Sequence, residues 1–188
     1  MEEFLEFLDS IDIDYEIQDG AVIVKEELNI EELDIEELDV KHISIPENTY
    51  FINGLDLETF DGEIQLPENL KVACMLDLED TNLTHLPSNL TIDDNCSVYL
   101  DAHKIENVSY SDNCGRYNRT IFAFWANNDF LIAAGCFAGT YLEFEGKVNK
   151  AYWRNKTEAI KYKQKARDCI IELAEKLGKP DPFKKATA

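Results

Sequence analysis

Pro46, Pro67 and Pro87 stand 21 and 20 residues apart, each directly after Ile or Leu, and no other feature of this chain restricts its fold as much. Units that short cannot bury their own apolar faces, so a period of this kind implies that consecutive units stack. Leu55-Asp56-Leu57 and Leu76-Asp77-Leu78 each begin nine residues after one of the first two prolines. From Leu76 the chain reads L-x-L-x-x-T-x-L-x-x-L-P, and Val98-Tyr99-Leu100, His103, Ile105 and Val108 lie over it position for position. Leu38, Val40, Ile43 and Ile45 match a shortened unit ending at Pro46, and Leu55 and Leu57 open a unit with one additional residue before Leu66-Pro67.

The pattern resembles leucine-rich repeats of the L-P-x-x-L variety, which occur in bacterial effectors and in many phage-encoded proteins. It covers roughly residues 38–108. The resemblance implies one short strand per unit, the outer residues of each L-x-L pointing inward, and a return segment turned at Leu-Pro. Two departures stand out: unit length runs from 17 to 22, and the position such repeats fill with asparagine holds Ile43, Phe60, Thr81 and His103. His103 is thereby expected to be buried and hydrogen-bonded.

Around this centre the chain carries clear local signals. Phe4, Leu5, Leu8 and Ile11 share one face of an opening helix whose first turn is acidic. Ile13, Tyr15 and Ile17 alternate with polar residues before Asp19-Gly20, and Val22 and Val24 follow, which predicts a hairpin. Beyond residue 116, "RYNRTIFAFWANNDFLIAAGCF" predicts two strands around Asn127-Asn128-Asp129. A capping box from Thr140 to Glu143 favours a helix through Phe144, Val148 and Tyr152 over a third strand. Tyr162, Ala166, Cys169, Ile170, Leu173 and Leu177 mark an amphipathic helix ended by Gly178 and Pro180. "IAAGCFAGTYLEFEGKV" resembles a C-terminal signature of phage and prophage proteins. The predicted architecture is therefore α+β: a short leucine-rich-repeat-like β-solenoid over 38–110, an N-terminal helix and hairpin cap over 1–37, and a C-terminal ββαα module over 111–188.

Charge is the second constraint. The net is −20, but residues 1–100 hold 27 acids against three lysines, a net of −24, while residues 101–188 hold 11 acids against 15 bases, a net of +4. If the leucines point inward, Asp39, Asp56, Asp77 and Tyr99 share the outer face of one sheet, and Asp34 extends the row. Like charges opposed on neighbouring strands cost stability, so the row suggests a surface with a task. Solvated filler between leucines is the plain alternative, and a calcium site lacks any EF-hand or glycine-rich roll pattern.

Such a face repels nucleic acid and attracts basic proteins. The expected partner is the basic surface of a nucleic-acid-binding host protein, with no direct nucleic-acid contact and no membrane. The expected function is non-enzymatic inhibition of a host defence complex, of CRISPR or restriction type, by DNA or RNA mimicry. A repeat scaffold that recognises protein through Tyr99 or the tryptophans is the alternative. The basic row Lys161, Lys163, Lys165 and Arg167 reads as a solvated helix face, and Trp125 and Trp153 as core residues.

No cofactor, metal or catalytic residue is indicated. Five cysteines include no C-x-x-C pair, and only three histidines accompany them, too few for a zinc framework. Cys136, placed between a strand and a helix, could serve as a nucleophile only with His42, His85, His103 or a buried acid beside it. The acidic start is unlike a secretory signal, and the apolar runs fall well short of the ~20 residues of a membrane span. Cytoplasmic residence is expected.

Overall fold

The computed structural model describes residues 1–31, 33 and 40–184. The opening helix α1 (Glu2–Ser10) buries Phe4 and Leu8. It is followed by the hairpin of β1 (Tyr15–Gln18) and β2 (Ala21–Val24), which turns at Asp19-Gly20 with both residues at positive φ. Nine short strands come next: β3 (Leu28–Asn29), β4 (His42–Ser44), β5 (Thr49–Phe51), β6 (Leu55–Asp56), β7 (Glu63–Gln65), β8 (Lys71–Val72), β9 (Met75–Leu78), β10 (Thr91–Ile92) and β11 (Ser97–Leu100). The chain ends in four strands, β12 (Ser109–Cys114), β13 (Arg119–Ala126), β14 (Asp129–Ala134) and β15 (Phe137–Thr140), and two helices, α2 (Tyr141–Ala151) and α3 (Lys156–Lys176).

The expected leucine-rich-repeat-like β-solenoid with a separate cap and a ββαα module is not what these strands form. They divide into four sheets: mixed β1-β2-β5-β8-β10, parallel β11-β9-β6-β3, parallel β4-β7 and antiparallel β12-β13-β14-β15. A leucine-rich repeat gives one strand and a return segment per unit. Here the stretch from Thr49 to Gln65 gives a strand to each of three sheets, because positive-φ residues at Gly54 and Thr59 break it into pieces too short to continue. The hairpin is no cap either, since β2 pairs in parallel with β5 and makes β1 the edge of the five-stranded sheet.

Period and register still coincide. Leu55 pairs with Leu76 and Val98 with Leu76, in parallel. At the other end, however, β6 pairs with Leu28-Asn29 rather than with the expected unit at 38–45. Ile43 instead lies in β4, opposite Ile64 of β7.

Two cores share one sheet. Strand β13 sends Phe122, Phe124 and Ala126 into the large core of the parallel sheets and Ile121 and Ala123 into a second core beneath α2 and α3. Burial on both faces explains why "TIFAFWA" and "FLIAA" are nearly continuous apolar runs rather than alternating ones. The open edge at β10 is covered by one side chain: the Asn127 amide accepts from Ile92 N at 2.9 Å and donates to Ile92 O at 2.8 Å, standing in for a further strand.

The capping box at α2 is complete. Thr140 N donates to the Glu143 carboxylate at 2.9 Å, and Glu143 N donates back to Thr140 Oγ1 at 3.4 Å. The Thr140 hydroxyl, donating to the Glu143 carboxylate at 2.7 Å, and then the Thr140 N–H hold that carboxyl below its usual range. Thr140→Ala is expected to cost about 1 kcal/mol, read as a Tm drop of a few degrees in a thermal melt.

Candidate functional site: a two-row carboxylate face

Residues i and i+2 of a strand share a face, so the four-stranded parallel sheet carries two rows across its outer side. The first is Asn29–Asp56–Asp77–Tyr99, set by the observed register. The second begins two residues further on and is Glu31–Glu58–Glu79–Asp101. The backbone bond from Leu57 N to Asp77 O at 2.9 Å, and that from Thr59 N to Glu79 O at 3.1 Å, carry the register past the strand ends.

Of the expected row, Asp56, Asp77 and Tyr99 are neighbours, while Asp34 and Asp39 lie outside the described residues, as does Leu38. The aspartates do not face open water: each is only 7% exposed. Their recurrence has a local cause. Asp56 Oδ1 accepts from Glu58 N and Asp77 Oδ1 from Glu79 N, both at 3.0 Å, so each closes the turn that ends its strand.

Burial and repulsion both act on this face. Desolvation pushes the Asp77 carboxyl up, and Asp56 across the strand gap adds to it. Asp77 is the largest influence raising Glu58, with burial and then Glu31 behind it. Glu79 is raised by burial first, then by Asp77, Glu58 and Asp101. Of the six carboxylates, only Asp101 is ion-paired within the described residues, to Lys104 at 2.5 Å. One ligand oxygen each from Asp56, Glu58 and Asp77 lies within 4.8 Å of the others, the group on this face that could hold a cation. Oxygen-only ligands would suit calcium or magnesium.

The second row was missed in the sequence, although its signal is there: Asp56-Leu57-Glu58 and Asp77-Leu78-Glu79 repeat the acid at i+2. Other expectations also change. His103 is exposed and meets Tyr110 edge-on, with ring centroids 6.1 Å apart, instead of bonding in the core. Trp153 is 65% exposed, with Arg154 over its ring, while Trp125 packs edge-on against Phe130. The basic row on α3 is largely engaged within the chain. Lys163 pairs with Glu145 at 2.9 Å, Lys165 donates to the Asp112 and Asn113 carbonyls, and Arg167 lies over Phe183.

Cys136 is exposed and borders a cavity with Tyr99, Arg119 and Glu79, in which no histidine takes part. Cys96 and Cys169 are buried thiols pushed up to about 12 by desolvation, unsuited to nucleophilic work. No helix among the described residues is long and apolar enough to cross a membrane. Comparison with known proteins finds no matching family model, no matching curated protein and no matching solved structure.

Proposed function

We propose that the protein is a non-enzymatic binding protein that presents its carboxylate face to the basic surface of a nucleic-acid-handling partner and thereby blocks it. A CRISPR or restriction complex in a host cytoplasm fits this reading, and the phage-type resemblance of the C-terminal stretch favours it. The observation that carries the proposal is the doubled row: six carboxylates on one face of four strands, one of them neutralised by a lysine.

Electrostatics supports the idea in a particular form. Neighbouring strands lie ~4.8 Å apart, so six carboxylates on four strands place about one charge per 3 Å. Duplex DNA carries about one per 1.7 Å of axis. The face thus carries about half the line charge of DNA and does not copy its phosphate register. Asp56 and Asp77 are too buried to touch a partner, so the contact falls to the second row, with the buried pair strengthening the field behind it.

The test is a pull-down from host lysate eluted in steps of rising salt, with duplex DNA as competitor and every fraction identified. A basic nuclease released at moderate salt and displaced by DNA is the expected result. Glu58→Lys/Glu79→Lys should weaken its binding about a hundredfold or more while leaving Tm unreduced. Affinity unchanged by the double reversal would sink the mimic. A partner that resists salt and ignores DNA would assign a scaffold role instead. Repeating the assay with calcium and with chelator shows whether a cation on Asp56, Glu58 and Asp77 alters the face.

A further inference from the structure

On the opposite side of the shared antiparallel sheet lies an open cavity of about 210 Å³, bordered by the short 3-10 turn Gly115–Tyr117, the facing ends of β14 and β15, α2 and α3. Its wall carries Arg116, Arg119 and Lys147, and no carboxylate lines it. All three lie in the half of the chain that holds 15 bases against 11 acids, and they line the cavity with no carboxylate among them. None of the three is ion-paired within the described residues. Arg119 spends one donor on the Ala134 carbonyl at 3.4 Å, and its guanidinium has four more N–H groups. Arg116 lies over Tyr117, 4.6 Å from the ring centroid, and Lys147 lies 5.9 Å from that of Phe137.

Two glycines lie close behind the lining side chains. Gly135, which borders the neighbouring cavity, has φ +63, and a Cβ there would fall 2.5 Å from Arg119 Nη1, so the guanidinium rests against bare backbone. Gly115 has φ +64, and a Cβ there would fall 2.5 Å from the Tyr152 hydroxyl. That hydroxyl is held by the Arg116 backbone N–H at 2.8 Å. Of the three cations, Arg119 is thus the one packed against a glycine, and Gly115 leaves room for the Tyr152 hydroxyl beside them.

We propose that this cavity binds a small organic anion, a carboxylate or phosphate carried on a ring or short apolar body. Arg116, Arg119 and Lys147 hold the anionic head through charge-assisted hydrogen bonds, and the apolar body packs against Phe137, Phe144 and Tyr162. The proposal does not rest on the carboxylate face, although Arg119 also borders the cavity that Glu79 and Tyr99 line.

Calorimetric titration of the full chain with phenyl phosphate and with benzoate tests this, with benzyl alcohol as the uncharged control. Saturable binding of at least one anion is expected, with a Kd on the order of 1 mM or tighter, and the preferred head group separates phosphate from carboxylate. Benzyl alcohol should bind about tenfold more weakly or not at all. Arg119→Gln and Lys147→Gln should each weaken anion binding by about tenfold. Lys147 is exposed on α2, so its variant keeps the test valid if Arg119→Gln folds poorly. No saturable binding of either anion up to about 10 mM, or equal affinity in wild type and Lys147→Gln, overturns the proposal.

Discussion

Phe51→Ala is expected to lower the unfolding free energy by about 3–5 kcal/mol, which for a chain of this size is a fall in Tm on the order of 10 °C. Phe51 has no exposed surface and sits in the middle of the five-stranded sheet, opposite Val24 on one side and Val72 on the other. Its ring meets Phe4 of α1 edge-on, with centroids 6.4 Å apart, so one side chain joins the opening helix to the parallel strands. Truncation leaves a void that neither neighbour can fill, since Val24 and Val72 are branched at Cβ and have few rotamers to offer. A denaturant titration should show the loss as a lower midpoint with an unchanged slope. A cost below about 1 kcal/mol would mean that α1 is not docked on this core.

Local order was legible wherever one short stretch carried the whole signal. The Asp19-Gly20 hairpin, the Thr140 capping box and the apolar stripe of α3 each depend on neighbours within about a turn. Long-range register was partly legible. Leu55, Leu76 and Val98 keep a step of 21 to 22 and do pair, but the next step back to Leu28 is 27 residues, whereas the repeat pattern fits a shortened unit that places the first strand at 38–40. Strands β12 and β15 escaped for another reason. "SYSDNC" is mostly polar, and "FAGT" has little β-preference of its own, so their strand character comes from pairing with β13 and β14. Burial of the aspartates was illegible because alternation assigns a face and says nothing about what covers it. The cationic cavity was beyond reach as well, because Lys147 is distant in sequence from Arg116 and Arg119 and is brought to them by a turn and a helix that share no motif.

Neutralising the carboxylate face should stabilise the protein, and more so as pH rises. In Glu58→Gln/Asp77→Asn/Glu79→Gln, the repulsions of Asp56 with Asp77, Glu58 with Glu79, Glu31 with Glu58 and Glu79 with Asp101 all disappear. At about 0.2–1 kcal/mol for each opposed pair, the variant should gain about 1–3 kcal/mol near neutral pH at low salt, and less at high salt because these groups are partly exposed. The backbone bond from Glu79 N to residue 77 survives, since an asparagine carbonyl accepts it as well as the carboxylate does. The sign with pH follows from the raised carboxyls. Each of the three ordinarily titrates near 3.8 or 4.5 and is pushed upward in the fold. The folded state therefore holds protons that the unfolded chain has already lost, and wild-type stability declines as pH climbs from those values through the raised ones. The neutral variant lacks that decline, so its advantage is small at about pH 4, grows through the carboxylate range and levels off above it. Tm measured against pH for both proteins decides the matter. Parallel profiles, or a variant less stable than wild type at neutral pH, would show that these carboxylates stabilise the fold through contacts that outweigh their mutual repulsion.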